Sequence, residues 1–357
     1  MRVPDPLVVP GTPVVLVTSR SFSSGDLDLA AELGAAGCTI RTGPSSHDLG
    51  ALAPLLAEAT AWIAGTGPVS AAHLDAAPQL QIVARYGVGV DAVDLAAAAE
   101  RGLVVTNTPG ANTGAVADHT VALILAALRD VAAGDRAVRS GDWSVRRTRE
   151  LGGLTVGIVG LGRIGREVAA RLRGFGSTLL GFDPWVAPEA LEPYGVQPVE
   201  LDELVRRSDV VTLHVPGEEA VVDARLLGLA RPSALLVNTA RAALVDEAAV
   251  ADALRADRLR LYATDVLASE AGEISPLLAP DLADRTLFTP HAGAQTVEAV
   301  DAMGRGAVDA VLAHLRGETP RNLVPLPTPS AASPAELSEP EGAGAPHDSD
   351  NSVGSGR

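Results

Sequence analysis

Short apolar runs alternate with amphipathic stretches along this chain, beginning at Val14. The first runs have the length of buried strands and are bounded by turn-forming residues. They predict strands at Val14–Thr18, Ala61–Ala64, Gln81–Tyr86 and Leu103–Asn107. The alanine-rich segments between them have the length of short helices. Strands that alternate with helices in this way predict parallel βαβ units.

A second series of apolar runs begins at Thr155. It predicts strands at Thr155–Gly160, Leu179–Asp183, Asp209–Val215, Leu235–Thr239, Leu261–Val266 and Leu287–Pro290. Strands in this number are enough for the complete parallel sheet of a dinucleotide-binding domain. Because a chain of 357 residues exceeds the usual size of a single core, we predict two α/β units.

Two longer helical patterns connect these units. Apolar residues repeat at helical spacing through Asn112–Arg129, behind the capping candidates Asn112 and Thr113. We expect this helix to join the two units. A second pattern, Val297–Leu315, is predicted to return the chain to the first unit. The first domain is then discontinuous, with residues 1–108 and 290–327, and the second domain comprises residues 109–289.

The last segment, residues 328–357, is rich in proline, serine, glycine and acidic residues. Such a segment has too little apolar surface to offset the entropy of ordering, so we predict that it is disordered.

The charge balance limits the partners of this protein. The formal net charge is −16, and a chain of this sign repels phosphate backbones and anionic lipid surfaces. Its apolar stretches are far shorter than the roughly 20 residues that a membrane helix needs. The N-terminus lacks a basic segment followed by a hydrophobic core. We therefore expect no nucleic acid and no membrane partner, and a cytoplasmic location.

Two residue types are nearly or entirely missing, and this excludes several chemistries. The sequence contains no lysine, which excludes Schiff-base chemistry and the phosphate-binding lysine of a P-loop. Cys38 is the only cysteine, so neither an intrachain disulfide nor a thiolate-rich zinc site is possible. The histidines show no metal-ligand spacing, and we expect no metal.

A glycine-rich segment lies between a predicted strand and an amphipathic helix. Gly160, Gly162 and Gly165 have G-x-G-x-x-G spacing, which permits a tight turn, close approach of a pyrophosphate and close packing of helix on strand. The next strand ends at Asp183, whose carboxylate is placed to accept hydrogen bonds from the adenosine ribose. This carboxylate repels a 2′-phosphate, so the sequence predicts NAD rather than NADP.

Several motifs together resemble one known family. VARYGVGVDAVD, NTPGANTGAVADHTVALILAALRD, GLGRIG, NTARAALVD, ATDV and TPHAGAQTVEA are similar to successive signatures of the D-isomer-specific 2-hydroxyacid dehydrogenases. The resemblance implies an α/β fold with a Rossmann dinucleotide-binding domain and a discontinuous flavodoxin-like substrate domain. It also implies NAD-dependent interconversion of a small 2-hydroxy acid and its 2-oxo acid, and a homodimer.

The resemblance assigns catalytic roles to Arg241, Glu270 and His291. The planar guanidinium of Arg241 is suited to hold a carboxylate and to polarise the adjacent ketone. An imidazolium at His291 is suited to protonate the oxygen that becomes an alkoxide. Glu270 would orient and charge this histidine. The chain departs from the family pattern at Ala271, where proline is common, so Glu273 stays an alternative to Glu270.

The resemblance also places binding residues. The substrate-binding set contains Arg85, Val88, Gly89, Arg241 and His291. A surface ion pair is the alternative role of Arg85. The cofactor-binding set contains Gly160, Gly162, Arg163, Ile164, Gly165, Asp183, His214, Val215, Pro216, Thr239, Ala240, Arg241, Asp265, His291 and Gly293. We expect His119 to serve packing or a hinge.

A different class of function is compatible with the same motifs. Eukaryotic transcriptional corepressors that sense NAD use this fold and carry a similar Arg, Glu and His set. The identity of the 2-oxo acid is not determined by the sequence. It depends on loops near Arg20–Phe22 and Thr42–His47 and on Arg85.

Overall fold

The computed structural model of the protein describes residues 11–271 and 274–327, without the side chains of Glu270 and Ala271. The predicted disorder of residues 328–357 therefore concerns residues outside the described ones. In the described ranges, no helix is both long enough and apolar enough to span a bilayer.

Among the described residues, the first sheet has five parallel strands in the order β2-β1-β3-β4-β5. The strands are β1 (Val14–Val17), β2 (Thr39–Thr42), β3 (Ala61–Ala64), β4 (Ile82–Arg85) and β5 (Val104–Thr106). The helices that alternate with them are α1 (Leu29–Ala35), α2 (Leu49–Leu56), α3 (Ala71–Asp75) and α4 (Leu95–Glu100). This strand order is the flavodoxin-like one, as predicted.

Two further helices lead to the second sheet. Helix α5 (Thr113–Leu128) begins one residue later than predicted. Asn112 occupies its N-cap position, but its side chain makes no capping hydrogen bond, so the predicted role of this side chain is wrong. Helix α6 (Val131–Arg139) follows and has no buried residue.

In the part of the chain that the structure describes, the second sheet has seven parallel strands in the order β12-β11-β10-β9-β6-β7-β8. The strands are β6 (Thr155–Val159), β7 (Thr178–Phe182), β8 (Val196–Pro198), β9 (Val210–Leu213), β10 (Leu235–Asn238), β11 (Leu261–Thr264) and β12 (Thr286–Phe288). The helices between them are α7 (Arg163–Arg173), α8 (Leu201–Arg207), α9 (Ala224–Leu227) and α10 (Glu247–Arg255). This is the Rossmann arrangement with one additional edge strand.

The last helix, α11 (Val297–Leu315), returns to the first sheet as predicted. Its buried residues Met303, Val308 and Val311 pack in one core with Ile63 and Ile82 of the sheet. After α11, Leu323 forms an antiparallel bridge with Thr106 beside β5. Both ends of the described chain therefore build the first α/β unit, and the fold-class prediction is confirmed. The exact domain limits stay a prediction.

Candidate active site

The glycine-rich loop connects β6 to α7. Gly160 has a φ of +91°, and a Cβ there would lie 2.6 Å from the carbonyl carbon of His214. A Cβ on Gly165 would collide with the carbonyl oxygen of Gly160. A Cβ on Gly162 would meet no atom within 4 Å, so the face of the loop is open there. Helix α7 begins at Arg163 without a side-chain cap.

The open face fits the pyrophosphate of a dinucleotide. The backbone N–H groups of Arg163, Ile164 and Gly165 lie in the first turn of α7 and have no partner within the helix. Such groups and the helix dipole bind anions. The loop therefore matches the chemistry of the cofactor that the sequence predicts.

Asp183 follows β7 and lies beside this loop. Its Oδ2 accepts a hydrogen bond of 2.8 Å from the N–H of Leu161, and its Oδ1 accepts one of 3.0 Å from the N–H of Trp185. The two bonds fix the carboxylate while each oxygen retains further lone pairs. The carboxylate is thus held where the strand presents groups to a ribose.

His214, Val215 and Pro216 follow β9, and His214 and Val215 lie against Gly160 of the glycine-rich loop. Burial lowers the pKa of His214 to about 3. Its Nε2 lies 3.0 Å from the hydroxyl of Thr212. This histidine is therefore a neutral group beside the predicted cofactor position.

The segment after β10 positions Arg241. The fully buried side chain of Asn238 accepts a hydrogen bond of 3.0 Å from the N–H of Ala240 and donates one of 2.8 Å to the carbonyl of Arg241. The hydroxyl of Thr239 lies 2.8 Å from that of Thr120 on α5. Asn238 is absent from the predicted site, although it is the first residue of the NTAR motif that pointed to Arg241.

The side chain of Arg241 reaches the first sheet. Its Nε donates a hydrogen bond of 2.8 Å to Oδ2 of Asp91. A Cβ on Gly89 would collide with Nη2 of Arg241, so glycine is required for this placement. Arg241 and Gly89, both predicted substrate residues, are therefore neighbours. Asp91 lies in the quoted VARYGVGVDAVD motif, but no role was predicted for it, because its partner Arg241 is 150 residues away in the sequence.

The loop after β4 turns two N–H groups away from the protein. The carbonyl of Gly87 accepts a hydrogen bond of 3.0 Å from the N–H of Thr108, and the carbonyl of Val88 accepts one of 2.8 Å from the side chain of Asn107. In a trans peptide the N–H points opposite to the carbonyl. The N–H groups of Val88 and Gly89 thus point away from Asn107 and Thr108, and neither has an acceptor within the described ranges.

Arg85, the last residue of β4, is 8% exposed. Its Nη1 donates to the carbonyls of Ala64 and Tyr86. Burial and the nearby charge of Arg241 lower its pKa to about 10, against the opposing effect of Asp91. Within the described chain it has no carboxylate at ion-pair distance. The alternative role of Arg85 in a surface ion pair is therefore wrong.

His291 lies in the loop after β12, with a left-handed φ of +54°. Its N–H donates a hydrogen bond of 3.0 Å to the carbonyl of Asp265. The carboxylate of Asp265 accepts hydrogen bonds of 2.8 Å from the N–H groups of Ala292 and Gly293. It therefore holds the loop that carries His291.

His119 on α5 takes part in the same cluster. Its Nε2 lies 2.9 Å from the hydroxyl of Thr289 and 3.3 Å from Oδ1 of Asp265. Burial acts to raise the pKa of Asp265, but hydrogen bonds from His119, Thr289 and the loop outweigh it, so this pKa is lowered. His119 connects the joining helix to the loop, which agrees with a hinge or packing role.

The two candidate carboxylate partners of His291 are Glu270 and Glu273. The backbone of Glu270 lies in a short 3₁₀ turn after β11, but its side chain and the whole of Glu273 lie outside the described residues. Among the groups that the structure does describe, no cluster of three or more histidine, cysteine and acidic side chains could hold a metal ion.

Comparison with known proteins agrees with this geometry. Residues 121–293 match the model of the D-isomer specific 2-hydroxyacid dehydrogenase NAD binding domain. The chain is 36% identical over 274 residues to the glyoxylate reductase of Thermococcus litoralis, covering 72% of this chain and 81% of that protein. It is 42% identical over 255 residues to D-3-phosphoglycerate dehydrogenase of Mycobacterium leprae, covering 70% of this chain. The chain spans only about half of that enzyme, 48% of its length.

A solved structure is similar over nearly its whole length. The 2-hydroxyacid dehydrogenase of Ketogulonicigenium vulgare superposes with a TM-score of 0.73 at 33% identity, over 88% of this chain and 99% of the other. The cofactor that this NAD binding domain takes is NAD. From the motifs, the two sheets and these relatives together, the chain belongs to the D-isomer specific 2-hydroxyacid dehydrogenase family.

Proposed function

We propose that this protein is an NAD-dependent oxidoreductase that interconverts a small 2-oxo acid and its D-2-hydroxy acid. The observation that carries the proposal is the meeting of Arg241 with the Val88–Gly89 turn. Nη2 of Arg241, which follows a strand of one sheet, lies beside Gly89 in a turn of the other sheet, and the N–H groups of Val88 and Gly89 have no acceptor among the described residues. The guanidinium supplies positively charged N–H donors, and the turn supplies two backbone N–H donors. Donors of these kinds bind carboxylates.

The chain's own residues have separate tasks in this reaction. When bound, NADH supplies a hydride. Arg241 holds the substrate carboxylate and polarises the adjacent ketone. His291 gives a proton to the ketone oxygen in reduction and takes it back in oxidation. Glu270, or Glu273 in its place, stabilises the charged form of His291.

Arg85 supports a narrower substrate class. Burying a guanidinium without a carboxylate partner costs free energy, and the nearby charge of Arg241 adds repulsion. An anionic group brought by the substrate would offset both effects. We therefore propose that the 2-oxo acid carries a second anionic group, a phosphate, phosphonate or carboxylate, that binds Arg85.

We also propose that two copies of the chain pair through the second domain. Helix α6 has no buried residue, and Trp143 and Val145 after it are largely exposed. Apolar side chains exposed together on one segment commonly mark an interface. Analytical ultracentrifugation should give a dimer that Trp143→Arg dissociates, and a monomeric unmodified protein would contradict this.

The function is tested by following NADH consumption with a panel of 2-oxo acids. Hydroxypyruvate and its phosphate ester form a matched pair that differs only in the second anionic group. We expect turnover with both and a higher kcat/KM for the phosphate ester. Arg241→Lys should lose most activity, because an ammonium cannot reproduce the two-pronged contact. Binding of NADH without turnover of any 2-oxo acid would contradict the function and favour an NAD-sensing role.

A further inference from the structure

A buried histidine lies over the same face of the first sheet as Arg85, outside the predicted catalytic set. His47 follows β2, is 2% exposed and has a left-handed φ of +56°. This conformation is uncommon for a residue with a Cβ, and such strain persists where the surrounding structure enforces it. A Cβ on Gly67 would lie 2.5 Å from the ring, so the neighbouring chain is shaped around this side chain.

The hydrogen bonds around His47 determine which ring nitrogen carries its proton. Nδ1 lies 2.9 Å from the carbonyl oxygen of Pro68. Because a carbonyl only accepts, Nδ1 must be the protonated nitrogen. Nε2 of the neutral ring then carries a lone pair. The backbone is also held, since Nε2 of His73 donates a hydrogen bond of 2.8 Å to the carbonyl of His47.

The ring of His47 and the side chain of Arg85 lie over the same face of the first sheet. The ring centroid of His47 is 5.1 Å from that of Trp62 on β3. Trp62 pairs in register with Val83, and Arg85 lies two positions further along β4 on the same face. The two groups also interact electrostatically. Burial first, and then the charges of His73 and Arg85, lower the pKa of His47 against the bond to Pro68.

Each of these side chains has one enclosed atom that lacks a partner. Nε2 of His47 is an acceptor without a donor, and Nε of Arg85 is a donor without an acceptor, among the residues that the structure describes. Leaving either buried atom unsatisfied is unfavourable, because it has lost its hydrogen bond to water without a replacement. One atom needs a donor and the other needs an acceptor. The two atoms do not bond each other directly, and one water between them would satisfy both.

We propose that His47 is a positioning residue whose Nε2 accepts a hydrogen bond from a water that in turn accepts the Nε–H of Arg85, and that it thereby fixes the guanidinium for the second anionic group of the substrate. The carbonyls of Ala64 and Tyr86 already hold Nη1. With Nε held by His47 through the water, Nη2 beside Gly87 is the nitrogen left for a ligand. This inference rests on the proposed function and adds the group that orients its specificity residue.

Two substitutions separate this role from a structural one. In His47→Gln the amide oxygen takes the approximate place of Nε2 and the bond to Pro68 is lost. In His47→Asn the amide nitrogen takes the approximate place of Nδ1 and the acceptor for the water that binds Arg85 is lost. Asparagine also tolerates a left-handed φ better than glutamine. A merely structural His47 therefore predicts that the Asn variant is the better one in every assay.

The measurement is the ratio of kcat/KM for phosphohydroxypyruvate to that for hydroxypyruvate. We expect His47→Gln to keep this ratio within about threefold of the unmodified protein. His47→Asn should lower it about tenfold or more, the scale of a hydrogen bond to a charged group. The kcat/KM for hydroxypyruvate itself should change little in either variant. Equal ratios in both variants, or a lower ratio only in the Gln variant, would overturn the proposal.

A second readout does not depend on turnover. The Nε–H of Arg85, assigned by its loss in Arg85→Lys, should give a protected signal in ¹⁵N-resolved NMR spectra. We expect the signal to shift and exchange faster in His47→Asn but not in His47→Gln. An Nε–H signal that is indifferent to both changes would overturn the link. If the unmodified protein has nearly the same kcat/KM for phosphohydroxypyruvate and hydroxypyruvate, the second-anion site itself is overturned. If it reduces no 2-oxo acid, the proposed function is overturned.

Discussion

Arg241 and Asp91 connect the two sheets through a hydrogen bond of 2.8 Å between Nε and Oδ2. Arg241 follows β10 of the second sheet, and Asp91 lies in the loop after β4 of the first. Their side chains are 40% and 37% exposed, and an ion pair this exposed contributes at most about 1 kcal/mol to stability. Its consequence is geometric, because it holds the guanidinium with Nη2 against Gly89.

Adding a methyl group at Gly89 should displace the guanidinium without unfolding the protein. The Cβ of Gly89→Ala would collide with Nη2 of Arg241, which is the end of a flexible side chain that is free to move. We expect kcat/KM to fall about 100-fold, near 2.7 kcal/mol, with little change in Tm. Gly34→Ala on α1 is the control, since a Cβ there meets nothing within 4 Å. Full activity of Gly89→Ala would contradict the claim that Arg241 binds the substrate from its position beside Gly89.

Substitutions at Asp91 and Asp94 should have opposite effects on activity and stability. Asp91→Asn removes the charge that orients Arg241, and we expect kcat/KM to fall about tenfold while the unfolding free energy changes by less than about 1 kcal/mol. Asp94 instead caps α4 by accepting the N–H of Ala97. Asp94→Ala should cost about 1 kcal/mol of unfolding free energy and leave kcat/KM intact. Urea unfolding and steady-state kinetics on both variants check this, and the reverse pattern would refute the assigned role of Asp91.

Cofactor preference should depend on the charge of Asp183. Asp183→Asn keeps an oxygen that accepts from Leu161 or Trp185 but removes the charge that repels a 2′-phosphate. We expect the unmodified protein to prefer NADH over NADPH and the variant to narrow this preference about tenfold or more. Asp202→Asn on the exposed surface of α8 is the charge-matched control. Equal efficiency of both cofactors with the unmodified protein would remove Asp183 from this role.

The pH profile should distinguish the two histidines beside the cofactor position. Burial keeps the pKa of His214 near 3, so this side chain stays neutral in the physiological range and adds no inflection. Reduction needs protonated His291 and should weaken as the pH rises through its pKa, whereas oxidation should strengthen. We therefore expect His214→Gln to keep the inflection. His291→Asn should remove it and cost about 100-fold or more in rate.

The same pH profiles identify which carboxylate, Glu270 or Glu273, faces His291. Replacing the carboxylate that faces His291 should move the inflection of reduction to lower pH, because the charge that stabilises imidazolium is lost. We expect this shift in Glu270→Gln and not in Glu273→Gln. A shift only in Glu273→Gln would assign the role to the alternative residue.

The sequence predicted the central strands because each is a continuous apolar run bounded by a turn. It predicted the glycine-rich loop because the G-x-G-x-x-G spacing directly follows such a run. It did not predict β2 or β8. Both are short edge strands with exposed polar positions, so they lack the apolar pattern of a buried strand. The seventh strand of the second sheet was missed for this reason.

The predicted site residues were recognisable because they lie inside motifs. The residues that hold them, Asp91, Asn107 and Asn238, lie in the same motifs, but no role was predicted for them. Asp91 and Asn107 act across long sequence separations, and Asn238 acts through backbone groups. The contact of Arg241 with Asp91 arises from the packing of the two sheets, and Asn107 reaches Val88 across two loops of the first sheet, so no local pattern encodes either contact. The burial of Arg85 likewise follows from its neighbours in the sheet and not from its own residue type.

The most direct test of the account is the transfer of deuterium to phosphohydroxypyruvate from NADH that carries deuterium at both positions of C4 of the nicotinamide. We predict that one deuterium appears at C2 of the product, that the product is the D enantiomer, and that Arg241→Lys suppresses its formation. Label released to the solvent, an L product, or NADH that stays unconsumed with every 2-oxo acid offered would contradict it.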